Sequence, residues 1–221
     1  MDRLSRVVAG CLVASIVAAC SQAAPSPTGP RALEPGTYRS QAFQPQVTFT
    51  LPDGWWLPAD TPDYLGLQPV SSDLVGIHLF RDPLPASQDQ SCPIEPEPGV
   101  SASAMALVTW FRSLPGFAAS NPKPVTIGGL QGIEIDLAIV ADWKPSCPFA
   151  NGLPTVPLFV GRSNESFRWV VAGPERLRLS LLDLPDGGTL VVDIDAYDGA
   201  LMDSLLAMAT PIVAGMQFAT P

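Results

Sequence analysis

The chain has 221 residues, of which 47% are hydrophobic and 15% charged, so it can form one well-packed domain and is too apolar for a disordered protein. Its formal net charge is −9, and Lys123 and Lys144 are its only lysines. Because nucleic-acid binding needs a basic surface that neutralises phosphates, this composition excludes nucleic acid as a main partner.

The first 19 residues have the features of an export signal. Arg3 and Arg6 precede an apolar run over 7–19, which is too short to span a bilayer, since a spanning helix needs about 20 apolar residues. The run ends Val17-Ala18-Ala19-Cys20, which resembles the lipobox of bacterial lipoproteins, whose cysteine thiol is acylated before cleavage. An ordinary secretory signal cut at the same place is the alternative interpretation.

Acylation of Cys20 would hold the mature chain on a membrane, because each buried CH₂ of an acyl chain contributes about 0.8 kcal/mol. The segment that follows, 21–35, is rich in Pro, Ser and Ala and predicts an extended tether. We therefore expect a lipoprotein signal peptide at 1–19 and a lipidated cysteine with its tether at 20–35. Residues 36–221 are expected to form one extracytoplasmic domain, anchored to the bacterial cell membrane by the lipid on Cys20.

Two of the four cysteines remain for the domain, because Cys11 belongs to the signal and Cys20 is the acylation site. Cys92 and Cys147 both lie in Ser-Cys-Pro sequences within loop-like stretches. In an oxidising compartment this arrangement predicts one disulfide bond. Metal ligation and a redox pair are the alternatives, but the two cysteines lie far apart and His78 is the only histidine.

Alternating apolar residues predict strands in the first half of the domain. Val47–Leu51 alternates and ends at the turn Pro52-Asp53-Gly54, after which Trp55-Trp56-Leu57 is expected to start a return strand. Further strands are predicted at 64–67 and 75–80, and a proline-rich loop at 82–100.

A first helix is predicted from Ser101 or Ser103, as the N-cap, to about Leu114. Its expected buried stripe is Met105, Val108 and Phe111. More strands are predicted at 125–127, 133–139, 156–160 and 167–171.

The best-defined hairpin covers 175–196, where leucines alternate with polar residues before a Pro-Asp-Gly-Gly turn. After the turn, Leu190, Val192 and Ile194 alternate with Val191, Asp193 and Asp195. A tight turn there would place Leu179 opposite Ile194 and Arg178 opposite Asp195, so that apolar side chains meet and opposite charges pair.

A second helix is expected to begin at Asp198, as its N-cap, and to kink or end early near Pro211. Its apolar stripe is predicted to contain Leu201, Leu205, Met208 and Ile212. Alternation on most strands implies an antiparallel sheet with one face buried by helices. The expected fold class is thus α+β, with two main helices packed on the sheet.

This layout resembles the PsbP-like fold of bacterial Lpq-type envelope lipoproteins over most of residues 40–220. The resemblance is carried by Leu51-Pro52-Asp53-Gly54-Trp55, by Val125-Thr126-Ile127-Gly128-Gly129-Leu130, and by a closing helix that ends in Met216-Gln217-Phe218. It implies an antiparallel sheet sandwiched by helices and a non-catalytic accessory role. The Pro-rich segments around the two domain cysteines depart from that family, and the resemblance carries over no catalytic residue.

The candidate residues for chemistry are few. His78 would have to serve any Ser–His–Asp hydrolase, but the chain has no Gly-x-Ser-x-Gly motif, so we interpret it as a strand residue. Asp193, Asp195 and Asp198 could hold Ca²⁺ or serve a hydrolase, but the Arg178 pair and the helix cap would occupy two of them. We therefore predict no catalytic residue, no metal and no cofactor.

Three of the five tryptophans flank turns or loops and are the better candidates for exposure: Trp55, Trp56 and Trp143. We predict that they bind a ligand, whereas Trp110 and Trp169 fit core positions. The sequence as a whole indicates a non-catalytic binding or scaffolding module of the cell envelope, whose ligand is an apolar molecule, a glycan or an envelope protein. The alternative is an extracytoplasmic hydrolase that uses Asp193 and Asp195.

Overall fold

The computed structural model describes residues 32–162 and 167–219, which form one α+β arrangement of antiparallel sheets and two α-helices. The helices are α1 (Ala104–Ser113) and α2 (Met202–Ala214). The strands, numbered in chain order, are β1 (Gly36–Arg39), β2 (Val47–Leu51), β3 (Trp55–Asp60), β4 (Tyr64–Pro69), β5 (Val75–Arg81), β6 (Leu84–Pro85), β7 (Phe117–Ala119), β8 (Lys123–Ile127), β9 (Leu130–Ile139), β10 (Thr155–Val160), β11 (Arg168–Ala172), β12 (Arg176–Asp183), β13 (Thr189–Ala196) and β14 (Gln217–Phe218). The predicted fold class is confirmed.

A large sheet lies at the centre, with strand order β3-β4-β5-β13-β12-β9-β7, and β8 pairs with β9 as well. Two three-stranded sheets, β1-β2-β14 and β11-β10-β6, complete the structure. The expected return strand is therefore wrong in its pairing, because β2 pairs with β1 and β14 whereas β3 pairs with β4. The turn at 52–54 joins two sheets instead of closing a hairpin.

The large sheet is covered on both faces. Side chains from α2 and β2 pack on one face, around residues such as Phe49, Ile77 and Leu205. Side chains from α1 and β10 pack on the other, around residues such as Phe111 and Phe159. The central strand β13 is consequently buried along its whole length, so its polar residues are largely removed from solvent.

Helix α1 begins as predicted, because Ser103 is its N-cap and its hydroxyl accepts a hydrogen bond from the Ala106 N–H. The buried stripe differs from the prediction: Met105 is 62% exposed, and Ala104 and Leu107 pack inward instead. The spacing of the buried residues follows the helical repeat of 3.6 more closely than the predicted spacing of three does.

Asp198 is an N-cap as predicted, since its carboxylate accepts from the Ala200 N–H, but it caps a short 3-10 helix at Gly199–Leu201. The α-helix itself begins four residues later than predicted, at Met202. Two members of the expected stripe, Leu201 and Met208, are exposed, and Met202 and Ala209 are buried instead. Pro211 lies inside α2, which continues for three residues beyond it. In this last turn a proline removes a single backbone hydrogen bond, so the helix does not end there. No helix among the described residues is long and apolar enough to cross a membrane.

The hairpin of β12 and β13 is present, but its register is one residue away from the predicted one. Leu179 lies opposite Asp193, and Arg178 lies opposite Ile194. The reason is the connection, in which the Leu184 N–H donates to the Gly188 carbonyl and shortens the pairing by one residue. A shift of one residue exchanges the two faces of a strand relative to its partner, and this places both aspartates of β13 inside the protein.

Candidate functional site

The two aspartates of β13 lie on the face of the large sheet opposite to α2. Asp193 is 0% exposed and Asp195 is 9% exposed. The predicted pairing of Asp195 with Arg178 is wrong, because the Arg178 Nε donates to the Asp136 carboxylate of β9 at 2.7 Å. Two carboxyl groups therefore lie in the interior without an arginine partner among the described residues.

A chain of hydrogen bonds crosses three neighbouring strands to reach Asp195. The Tyr64 hydroxyl on β4 is 2.8 Å from His78 Nδ1 on β5, and His78 Nε2 is 3.2 Å from Asp195 Oδ1 on β13. Burial raises the pKa of Tyr64, and the charges of Asp195 and Asp193 raise it further. The phenol thus keeps its proton and can donate it in a hydrogen bond to His78 Nδ1. The ring then carries its own proton on Nε2, and this N–H donates to Asp195.

Two glycines make room for this chain. Gly66 lies opposite His78 in the sheet, and Gly76 lies opposite Asp195. A Cβ at residue 66 would be 2.9 Å from the Tyr64 hydroxyl, and one at residue 76 would be 2.4 Å from His78 Nε2. The Tyr64 ring therefore lies over Gly66 and contacts His78 on the next strand. In the same way, the His78 ring lies over Gly76 and contacts Asp195.

Gly76→Ala is expected to displace the His78 ring and to break its contact with Asp195. Forcing one methyl group into such a packed site costs about 1–3 kcal/mol of unfolding free energy, which urea denaturation would measure. Gly36→Ala is the control, because the atoms nearest to a Cβ there are at 3.9 and 4.0 Å. Equal denaturation midpoints for the two variants would contradict the steric role of Gly76.

Glu175, from the turn between β11 and β12, provides the third carboxyl group, and it is 5% exposed. Its Oε2 accepts a hydrogen bond from the Ala172 N–H at 2.7 Å, and its other hydrogen bond is to the side chain of Asp195. Burial, followed by the charge of Asp195, raises the pKa of Glu175 from 4.5 to about 8. At neutral pH, Glu175 therefore keeps its proton.

Asp193 lies directly opposite His78 in the sheet. Neither of its carboxyl oxygens makes a hydrogen bond of ordinary geometry among the described residues. The buried indole N–H of Trp169 makes none either, although it acts on the Asp193 carboxyl and lowers its pKa in part. Burial raises the pKa of Asp193 well above its ordinary value, and the charges of Asp195 and Glu175 add to this effect. Burying a carboxyl group without a good hydrogen bond lowers the free energy of unfolding. Asp193, behind His78, therefore destabilises the fold.

The acidic residues form the floor of an open cleft of about 450 Å³. His78, Glu175 and Asp195 line the floor, whereas Asp193 lies behind it and does not line the cleft. The walls and rim are formed mainly by aromatic, apolar and charged side chains, namely Gln68, Asp73, Leu74, Phe149, Arg168, Trp169, Val170 and Tyr197.

One wall of the cleft is held by the predicted disulfide bond, which is confirmed between Cys92 and Cys147. Arg168 donates a hydrogen bond to the Cys92 carbonyl, and its guanidinium lies 4.0 Å from the centre of the Phe149 ring. Phe149 follows Cys147 by two residues. The disulfide therefore fixes both loops against which the Arg168 side chain is positioned.

The three tryptophans that were predicted to bind a ligand do not meet. Trp55 is 2% exposed and belongs to the core, so the expectation that it is exposed is wrong. Trp143 is half-buried and donates its indole N–H to the Thr155 carbonyl, and Trp56 borders a separate shallow depression. Trp169, which was assigned to the core, lines the cleft instead. Cys20, the predicted acylation site, lies outside the described residues.

Sequence reasoning missed Glu175, Tyr64 and the role of His78. A signal for two of them is present, since Tyr64-x-Gly66 and Gly76-x-His78 each combine a ring and a glycine on one strand face. Glu175 has no such signal, because it lies in a turn whose path is set by the rest of the fold.

No family model matches the sequence, and no curated protein matches it. Solved structures do. The match to a Bacteroides thetaiotaomicron VPI-5482 protein has 8% identity and a TM-score of 0.37, and covers 78% of this chain but 45% of that one, so this chain spans less than half of its length.

Two further structures are of the kinds that the sequence resembles. LpqN of Mycobacterium tuberculosis, described as involved in cell envelope biogenesis, has 18% identity and a TM-score of 0.40 over 79% of this chain and 83% of LpqN. The PsbP of Synechocystis sp. PCC 6803 has 9% identity and a TM-score of 0.40 over 89% of this chain and 98% of that protein. The resemblance to the PsbP-like fold is thus found in structure too, at a level that carries no argument about function.

Proposed function

We propose that this chain is a lipid-anchored extracytoplasmic protein of the bacterial cell envelope that binds a small organic ligand in the cleft above Glu175 and Asp195. The observation that carries the proposal is the cleft itself. It brings a polar floor and an aromatic wall together in a volume of about 450 Å³, which lies within the range of about 300–1,000 Å³ for small-molecule sites.

The floor offers both kinds of hydrogen-bonding group. Glu175 supplies a proton, and the carboxyl oxygens of Glu175 and Asp195 supply acceptors. His78 Nε2 contacts the Asp195 carboxylate. Trp169 and Tyr197 present ring surfaces beside these groups. A few convergent polar groups at the base of an otherwise aromatic cleft are typical of ligand sites.

Native mass spectrometry tests this function. The mature chain carrying Cys20→Ala would be exported to a bacterial periplasm and purified without detergent. We expect a mass adduct that is lost on denaturation, and we expect Tyr197→Ala, an exposed change in the cleft wall, to remove it. Met105→Ala, an exposed change on α1, should retain the adduct. A clean apo mass for the parent protein, or an adduct that survives Tyr197→Ala, would overturn the proposed cleft function.

The lipobox supports the anchoring part of the proposal. Replacing Cys20 with alanine removes the thiol that receives the lipid, so we expect the full-length variant to be lost from washed membranes in cells that process lipoproteins. An alkaline wash followed by sedimentation measures this retention. Cys11→Ala is the matched control, because that cysteine leaves with the signal. A Cys20→Ala chain that still sediments with washed membranes would contradict lipid anchoring.

A hydrolase is the second candidate function, and the observation that favours it is that two acidic residues, Glu175 and Asp195, line one cleft. Its acid pair would be Glu175 and Asp195 instead of Asp193 and Asp195, because Asp193 does not line the cleft. A carboxyl group that keeps its proton beside a second carboxyl group is the arrangement of the aspartic proteases, so cleavage of a peptide bond is the reaction to assay. Hydrolysis of labelled casein that disappears in Glu175→Gln would favour the enzyme over the binding protein.

A further inference from the structure

The cleft has an excess of acid over base. Asp73, Glu175 and Asp195 line it, whereas its basic residue is Arg168. The Arg168 guanidinium is already engaged by the Cys92 carbonyl and the Phe149 ring. The floor itself is acidic, and its two carboxyl groups are in hydrogen-bond contact with each other.

We infer that the ligand of this cleft carries an organic ammonium group, which binds between the carboxyl groups of Glu175 and Asp195 while the rest of the ligand lies against Trp169. This inference rests on the proposed function and specifies the class of its ligand.

An ammonium group satisfies the floor without changing its charge. It brings one positive charge and three N–H donors, and it displaces one proton. Both carboxylates then accept hydrogen bonds from the ligand. His78 keeps Asp195 in place for this contact. The His78 ring is held in turn by the Tyr64 hydroxyl and by the space left at Gly66 and Gly76.

The walls suit an organic cation better than a bare ion. Trp169 and Tyr197 line the cleft beside the floor, and an aromatic face within about 6 Å of a cation attracts it. The contact between Arg168 and Phe149 already uses this interaction on the neighbouring wall.

A second observation, independent of the charges that line the cleft, also indicates a ligand. The Asp193 carboxyl is fully buried on the same face of β13 as Asp195 and has no hydrogen-bond partner among the residues that the structure describes. The indole N–H of Trp169, a cleft residue, lowers the pKa of this carboxyl, but it too makes no hydrogen bond of ordinary geometry among these residues. Among the described residues, the polar atoms directly behind the floor are thus only weakly paired, at a cost in stability.

Ammonium binding should depend on pH, because it displaces a proton. Below the Glu175 pKa of about 8, each ligand that binds releases one proton, so affinity rises by about tenfold per pH unit. Other titratable or charged groups line the cleft or lie behind its floor, and these are Tyr64 from β4, Asp73, His78 from β5, Arg168 from β11, Asp193 and Asp195 from β13, and Tyr197.

Calorimetric titration with benzylamine and with benzyl alcohol tests the inference, since the two probes share a ring and differ in the charged group. For the mature Cys20→Ala chain, we expect benzylamine to bind at least about tenfold more tightly at neutral pH and to release one proton, measured in two buffers of different ionisation enthalpy. Glu175→Gln should abolish the proton release and flatten the pH dependence. Glu97→Gln, which changes a glutamate that also accepts from a backbone N–H, should behave like the parent.

Each outcome bears on one of the two proposals. Equal affinities for the two probes, both reduced by Tyr197→Ala, would overturn the ammonium inference and leave the cleft as a binding site. No binding of benzylamine at millimolar concentration, or binding without proton release, would also overturn the inference. The native mass adduct decides the cleft function separately, because it does not depend on either probe.

Discussion

Glu175→Gln is expected to stabilise the domain at pH 8 and above and to leave its stability nearly unchanged below pH 4.5. The folded protein raises the pKa of Glu175 from 4.5 to about 8, with burial as the main cause and the charge of Asp195 as the second. Glutamine resembles the protonated acid: its oxygen can accept from the Ala172 N–H, and its amide can donate to Asp195. The variant therefore keeps the hydrogen bonds and removes the titration.

The sign follows from the two pKa values. Below pH 4.5 both the folded and the unfolded chain hold the Glu175 proton, so the stability that it contributes is fully present. As pH rises, the unfolded chain loses this proton first, and the free energy of unfolding falls until the pH passes about 8. At about 1.4 kcal/mol per unit of pKa, the loss amounts to between about 4 and 5 kcal/mol.

Urea denaturation of parent and variant across this pH range measures the effect as a difference curve. The difference should grow from near zero at acidic pH to a plateau above pH 8. Glu97→Gln is the matched control, because Glu97 is half-buried and its carboxylate accepts from the Gln88 N–H. A Glu175→Gln difference curve that is flat in pH would show that Glu175 ionises normally in the folded protein.

Local patterns were sufficient to predict much of the fold. Ser103 begins α1 and Asp198 caps the turn before α2, because capping is decided by one side chain and the N–H groups next to it. The disulfide between Cys92 and Cys147 was predictable from cysteine count and compartment. The buried stripes of the helices were predicted less well, because several apolar residues compete for the interior and neighbouring strands decide among them.

The hairpin shows how one residue of register changes a functional prediction. With Arg178 opposite Asp195, the acids of β13 would form a solvated, charge-paired face. The observed register instead sets Asp193 opposite Leu179 and places both acids in the interior. Alternation along β13 was visible in the sequence, but its central place in the sheet was not, and only that place shows that both faces are buried.

The cleft could not be assembled from sequence, because its parts come from strands and turns that are distant along the chain. Trp169 follows His78 by more than 90 positions, yet their ring centres are 4.7 Å apart. Glu175 lies in a turn without any periodic pattern, and its proximity to Asp195 follows from the pairing of β12 with β13. A ring and a glycine two residues apart on one strand can be recognised in the sequence. Contacts between strands cannot, because they depend on the order of the strands in the sheet.

The distribution of buried polar groups connects stability with function. The free energy of unfolding is lowered by the raised pKa of Glu175 and by the burial of Asp193, which makes no hydrogen bond of ordinary geometry among the described residues. Both costs fall at one cleft, whereas the interior contacts made by α1 and α2 are apolar. Departures from good packing that are confined to one place are typical of functional sites. This is the physical reason for assigning the function to the cleft.

Removing the disulfide is expected to weaken both the fold and the cleft wall. The bond joins cysteines 55 residues apart in sequence, and closing a loop of this length contributes about 4 kcal/mol in the chain-entropy model. The double variant Cys92→Ser/Cys147→Ser should therefore unfold at a clearly lower urea concentration than the parent. Adduct occupancy in the native mass spectrum should fall with it, because Arg168 and Phe149 take their positions from the two loops that the bond connects.

Treatment with a reductant separates the bond from the side chains. The parent protein should lose stability when reduced, to about the level of the double variant, whereas the double variant should not respond to reductant at all. A parent protein whose denaturation midpoint is unchanged by full reduction would contradict the stabilising role of the bond. If stability falls but adduct occupancy does not, the loops hold Arg168 and Phe149 without the covalent link, and the cleft wall depends on the contacts of Arg168 with the Cys92 carbonyl and the Phe149 ring.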